Sequence, residues 1–140
     1  MAELHPQLAK DCVEIGHFPL CRVLLMNDAN YPWFILVPDR ENITEIFQLS
    51  EADQQQWLAE SAEMSRVIYD LFQPDKLNIG ALGNMVPQLH IHYIARYRDD
   101  PAWPKPVWGN VAAKAYDGGT LEERMAAMID ALGGGFVARA

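Results

Sequence analysis

Residues 88–97 read Gln-Leu-His-Ile-His-Tyr-Ile-Ala-Arg-Tyr (QLHIHYIARY). Polar and apolar side chains alternate here, which is the period of a β-strand. Leu89, Ile91, Tyr93 and Ala95 fall on one face, and Gln88, His90, His92 and Ile94 fall on the other. A strand with one apolar face needs a sheet to join and a layer to cover it.

The flanking sequence supplies both. Upstream, Lys76 to Ala81 predicts another strand, followed by a flexible Leu82-Gly83-Asn84 stretch. Residues 50–73 predict the longest helix, with Ser50 as its cap and Asp53 suited to the positive end of the dipole. Trp57, Leu58, Ser61, Met64, Ile68, Leu71 and Phe72 form its packing stripe, and Glu60, Glu63, Arg66 and Asp70 its polar side. Pro74 and Asp75 end it. Further upstream, Cys21–Met26 and Trp33–Val37 are apolar runs joined by Asn27-Asp28-Ala29-Asn30, which predicts an antiparallel hairpin. Leu4, Leu8, Cys12 and Ile15 are spaced as one side of a short helix over 4–15, closed by Gly16 and Pro19.

Downstream, residues 99–109 hold three prolines and two tryptophans, which predicts an extended segment docked by its aromatics. Thr120-Leu121-Glu122-Glu123 has the pattern of a capping box. The helix it opens carries Leu121, Met125, Met128, Ile129 and Leu132 and stops at Gly133-Gly134-Gly135. The expected fold is α+β: an antiparallel sheet of about five strands, the 50–73 helix on one face, and two or three helices in all. One domain over 1–140 is expected, with 110–140 as a C-terminal helical tail.

The chain has 140 residues, half of them apolar, and a formal charge of −8. A chain this long buries about 68% of the surface that its unfolded form exposes, so a core needs no disulfide or metal. The acidic balance argues against duplex nucleic acid as a partner, because phosphate backbones demand clustered Lys and Arg. A small phosphorylated ligand in one pocket remains compatible with it. The longest apolar run, Trp33–Val37, is far short of the ~20 residues a membrane helix needs. The first residues lack a basic region followed by an apolar one, and Cys12 and Cys21 have no paired spacing. A cytoplasmic protein with reduced thiols is the expectation.

Gln88, His90 and His92 carry the chemistry. Three readings fit them. They are surface residues of a half-solvated strand; or His90 and His92 are two metal ligands lacking a third; or one imidazole is a nucleophile toward phosphorus. A neutral imidazole is competent for that attack near pH 7. A second histidine can donate to a phosphate oxygen, and the Gly83-Asn84 turn offers N–H groups and an amide for phosphate. Arg96 and Arg98 are solvated strand-end charges or helpers for a distal phosphate. Trp33, Trp103 and Trp108 either pack in the core or stack a base.

The stretch from Asn78 to Gly109, together with the CRVLLMND and WFILVP runs, resembles the histidine triad (HIT) superfamily. The signature alternates three histidines with apolar residues, and here Gln88 stands at the first position. Asp100-Pro101-Ala102-Trp103-Pro104 and Val107-Trp108-Gly109 resemble a bacterial subgroup with that substitution. The resemblance implies nucleotide hydrolysis or transfer at the α-phosphate, with no cofactor or metal in the catalytic step. It implies His90 as nucleophile, forming a nucleotidyl-histidine, and His92 as the contact to phosphate and bridging oxygen. It places Asn27 at the ribose and Asn84 and Asn78 near the phosphates. It also implies a two-fold homodimer. Gln88 can hydrogen-bond but cannot titrate, so it is expected to face the cleft and orient a histidine. A nucleotide-binding module with weak turnover is the competing expectation.

Overall fold

The computed structural model describes residues 2–140. Its elements in chain order are α1 (Pro6–Asp11), β1 (Cys12–His17), β2 (Cys21–Met26), β3 (Trp33–Pro38), a 3-10 turn (Ile46–Gln48), α2 (Glu51–Phe72), β4 (Lys76–Gly80), β5 (Ile91–Arg96), α3 (Thr120–Ala131) and β6 (Val137–Ala138). The strands form one six-stranded sheet in the order β4-β5-β3-β2-β1-β6, and every neighbouring pair is antiparallel. The α+β architecture is therefore as expected, with one more strand than about five.

The central strands β2, β3 and β5 are buried on both faces of the sheet. Toward α2 and α3 it turns Val23, Leu25, Phe34, Leu36, Ile91 and Tyr93, which pack on Met64, Val67, Ile68 and Met128. Tyr93 also donates from its hydroxyl to Ser61 Oγ at 2.7 Å, tying β5 to α2. The opposite face carries Leu24, Trp33, Ile35, Val37 and Ile94, covered by Leu8 of α1 and by Ala102 and Val107. The period-two alternation of β2, β3 and β5 sorts these residues to their sides.

Five expectations change. Leu58 and Leu71 do not join the packing stripe of α2 and stand exposed, at 62% and 40%. The 4–15 helix stops at Asp11, because Cys12 is extended (φ −129°, ψ 161°) and begins β1. Cys12, Val13 and Glu14 then pair with Met26, Leu25 and Leu24 of β2. Leu8 and Ile15, one stripe on a helix, lie on opposite faces of the sheet. Glu60 is not on the solvent side of α2. It is 2% exposed and accepts the N–H groups of Leu20 and Cys21, each at 2.8 Å. Residues 99–109 are a run of turns, not an extended segment. Asp100 organises them by accepting from the backbone of Tyr97, Ala102 and Trp103. Finally, α3 starts from Gly119 without a side-chain cap, so Thr120 is its first residue and makes no capping box.

The residues after α3 are not purely helical. β6 pairs with β1 at Gly16↔Ala138 and His17↔Val137. A Cβ at Gly16 would collide with the Val137 carbonyl and the Phe136 ring, so only glycine admits this strand so closely. The site-bearing part of the fold is the other end, where β5 lies between β4 and β3.

Candidate active site

β5 begins at Ile91, so the predicted strand over 88–97 loses its first three residues. Gln88 sits at a bend, and the alternation that would aim its amide into the cleft breaks there. His90 precedes the strand and His92 lies within it. Both are buried, at 7% and 6% exposure, which removes the reading of two surface histidines. Their rings meet edge-on with centroids 4.9 Å apart.

Both rings line a cavity of about 340 Å³. Leu8 and Asp11 of α1, Met26 of β2, Ile35 of β3 and Trp108 form part of its wall. The loop Leu82-Gly83-Asn84-Met85-Val86 forms its rim. Gly83 has φ +76°, a left-handed conformation that glycine takes without strain and that turns this loop beside the imidazoles. The pocket is mainly apolar with a few convergent polar groups, the usual make-up of a small-molecule site.

The hydrogen-bond partners fix where each imidazole holds its proton. His90 Nδ1 lies 2.7 Å from the Gln88 carbonyl oxygen. A carbonyl only accepts, so Nδ1 carries the hydrogen and Nε2 is left with its lone pair. His92 is the opposite case. The Trp33 indole N–H, which only donates, reaches His92 Nδ1 at 3.0 Å. His92 Nδ1 is therefore an acceptor, and the neutral ring carries its hydrogen on Nε2. Burial, reinforced by the neighbouring His90, pushes the His92 pKa down to about 3. Trp33 and Trp108 also flank the His92 ring at 5.6 and 5.3 Å between centroids. The result is one imidazole with a free lone pair beside a second that is neutral and donating.

The remaining expected residues divide. Gly83 and Asn84 line the same pocket as the histidines. The Gln88 side chain does not reach it. Its Oε1 accepts from the His5 N–H at 2.7 Å, and its Nε2 donates to the Glu3 carbonyl at 3.0 Å. It fastens the N-terminal arm, and only its backbone carbonyl touches His90. Asn27 turns to the C-terminal segment, accepting from the Tyr116 N–H at 3.1 Å, while its neighbour Met26 faces the pocket. Asn78 accepts from Arg96 Nη1 at 2.8 Å and borders a neighbouring groove with Lys76, Pro104 and Trp108.

Arg96 is neither a solvated charge nor free for a ligand. It is 1% exposed and forks onto Asp100 at 2.7 and 3.0 Å. That pairing, with the backbone donors of Tyr97 and Trp103, holds the Asp100 carboxyl below its usual range against the opposing effect of burial. Among the described residues, no group of three or more His, Cys, Asp or Glu side chains is placed to hold a metal ion.

Sequence reasoning missed Trp33 as the partner of His92. The signal was present: Trp33 and Ile35 share a face of β3, and Ile35 pairs with His92. It also missed Asp11, because the longer predicted helix hid where α1 ends.

An antiparallel sheet that delivers two buried imidazoles of fixed tautomer into one pocket defines an α+β protein with a paired-histidine site. The chain belongs to the HIT domain family, whose family model matches residues 7–99. Proteins of this family bind nucleotides and include hydrolases and transferases. Similar solved structures include a histidine triad protein from Bradyrhizobium japonicum, 45% identical, with a TM-score of 0.91. That alignment covers 93% of this chain and 97% of the other. A histidine triad protein from Marinobacter aquaeolei VT8 is 47% identical with a TM-score of 0.91, covering 94% and 96%. A histidine triad (HIT) protein from Sinorhizobium meliloti 1021 is 40% identical with a TM-score of 0.90, covering 93% and 96%. No curated protein sequence matches significantly. No helix among the described residues is long and apolar enough to cross a membrane.

Proposed function

We propose that the chain is a nucleotide phosphohydrolase or nucleotidyl transferase of the dinucleoside polyphosphate hydrolase kind. It acts at the α-phosphate of a (di)nucleotide through a nucleotidyl-histidine intermediate. The observation that carries this reading is His90: its Nδ1 is held by the Gln88 carbonyl, so Nε2 presents a lone pair in the pocket. His92 supplies an Nε2–H to an oxygen of the phosphoryl group. Gly83 and Asn84 hold the phosphate from the loop, and the apolar wall of Leu8, Met26 and Ile35 takes the base. Gln88 positions the nucleophile through its carbonyl. The place of Gln88 aligns the chain with a HIT subgroup lacking the first histidine. We further propose a cytoplasmic homodimer that needs no cofactor.

The chemistry runs in two steps. His90 Nε2 attacks the α-phosphorus, forming P–N and breaking the bond to the leaving oxygen. Water then attacks the same phosphorus, breaking P–N and releasing the nucleoside monophosphate and a proton. The imidazole returns to its starting state. Positioning and the fixed donors provide the acceleration.

The test is turnover of a nucleotide and dinucleotide panel with and without chelator. Hydrolysis that survives the chelator and is lost in His90→Ala, while nucleotide binding persists, supports the reading. Equal turnover by His90→Ala contradicts it. The alternative, a binding module with weak turnover, is favoured by the Gln88 substitution. It predicts tight binding across the panel with no hydrolysis.

A further inference from the structure

We propose that the buried Arg96–Asp100 pair is the positioning unit of the site. It fixes the turns of residues 99–109 so that Trp108 lies over His92 and closes the pocket against the groove beside β4. Arg96 and Asp100 are positioning residues in this account, and they act through the Trp108 ring. The inference takes the histidine pocket as the reaction site, as proposed above.

Residues 99–109 cannot be held as a strand. Pro101, Pro104 and Pro106 have no N–H to give to a ladder. Asp100 gathers the donors that remain nearby: the N–H groups of Tyr97, Ala102 and Trp103, at 3.0, 3.1 and 2.8 Å. Its two oxygens also take the Arg96 fork, and the two side chains are closed to solvent, at 2% and 3% exposure. Arg96 is anchored in turn. Its Nη1 donates to Asn78 Oδ1 of β4 at 2.8 Å, and its guanidinium lies 5.5 and 5.8 Å from the ring centroids of Tyr31 and Trp103. A planar fork on a carboxylate fixes direction as well as distance. The turns therefore inherit a defined orientation from β5, and Ala102 and Val107 seat on Trp33, Ile35 and Ile94.

The end of this segment carries Trp108. Its ring meets His92 edge-on with centroids 5.3 Å apart, and meets Trp33 at 6.3 Å. It lines both the histidine pocket and the groove between β4 and Pro104–Pro106, and no other described residue lines both. The indole N–H is buried with no hydrogen-bond partner among the described residues, so no directional bond pins the ring. Its place comes from packing and from where the turns deliver it. Gly80 of β4, which pairs with His92, leaves the space: a Cβ there would stand 3.4 Å from Cη2 of the ring.

This cover keeps water from His92. Burial is the main cause that holds its pKa down at about 3, with His90 second. The other titratable side chains lining the pocket are His90 and Asp11, and Arg96, further along β5, is paired with Asp100. Lifting the ring hydrates the imidazole and moves its titration up toward the reference value of ~6.5. Charge alone acts differently. Arg96→Lys keeps the cation and loses the fork. Asp100→Asn removes an anion, which by charge alone moves a histidine down. The direction of the shift thus separates loss of the fork from loss of charge.

The experiment follows the imidazole ¹⁵N signals of His92 against pH in the full chain without nucleotide, so it reads the same whether or not an adduct forms on His90. Trp108→Ala should raise the His92 midpoint by about one pH unit or more. Arg96→Lys and Asp100→Asn should each raise it as well, and neither should raise it further in the Trp108→Ala background. An unchanged midpoint in Trp108→Ala overturns the proposal whichever of the other variants fold. So does a folded Arg96→Lys with the wild-type midpoint, a downward shift in Asp100→Asn, or a shift that adds to that of Trp108→Ala. Failure of the wild type to form the His90 adduct removes the nucleotidyl-transfer reading and leaves this result standing.

Discussion

His90 and Gln88 lie two residues apart, and their roles separate along the backbone. The Gln88 carbonyl orients His90, whereas its amide fastens Glu3 and His5. Reading residues 88–97 as one strand placed all three polar side chains in one cleft. The bend at Gln88 breaks that alternation, so only His90 and His92 arrive there. A Gln88→Leu substitution should therefore leave the rate of His90 adduct formation within about threefold, because the carbonyl remains. It should cost about 1–3 kcal/mol in denaturant unfolding through the two lost bonds to the arm. A hundredfold loss of adduct formation with unchanged stability would return the amide to the reaction. Asn27 differs in the same way. Its bond to the Tyr116 N–H predicts that Asn27→Ala loosens the segment after Trp108 in hydrogen exchange. A change confined to nucleotide affinity would contradict that assignment.

The elements were legible where one periodicity dominates. The β2–β3 hairpin, α2 and β4 fall where their alternation or helical spacing puts them, and the Ser50 cap accepts from the Asp53 N–H as expected. They were illegible where tertiary pairing decides. Cys12–His17 has a helical spacing of apolar residues but pairs with β2, and Val137–Ala138 is too short to announce a strand. Glu60 is the clearest case. Its polarity placed it in solvent, yet the start of β2 leaves two N–H groups facing α2, and a carboxylate satisfies both. Hydrogen bonds to a charged group are worth about 1.5–3 kcal/mol. Glu60→Ala should lower unfolding stability by about 3 kcal/mol or more, while a loss under about 0.5 kcal/mol would show that water replaces the carboxylate.

At the scale of the whole molecule, the site leaves a mark on stability. The pKa of His92 lies at about 3 in the folded chain against ~6.5 in the unfolded one. Between those values the unfolded state binds the extra proton, so stability from this residue is complete above about pH 6.5 and declines as pH falls toward 3. The maximum slope is about 1.4 kcal/mol per pH unit. Denaturant midpoints measured in His92→Gln should lose that component of the acid limb; an unchanged limb would mean that His92 is protonated when folded. The proposed homodimer should scatter light as twice 15.8 kDa, and a 15.8 kDa species at micromolar concentration would remove it. β4 is an edge strand with Ile79 half exposed, a surface that a second copy can cover.

The central claim is that His90 Nε2 bonds to phosphorus. The most direct measurement mixes the chain with a dinucleotide, quenches with denaturant at alkaline pH, and maps the modified peptide by mass spectrometry. The account predicts a nucleoside monophosphate adduct on His90, present in wild type, absent in His90→Ala, and lost on incubation as water completes the second step. An adduct on His92, or turnover with no adduct at any quench time together with equal activity in His90→Ala, would contradict it.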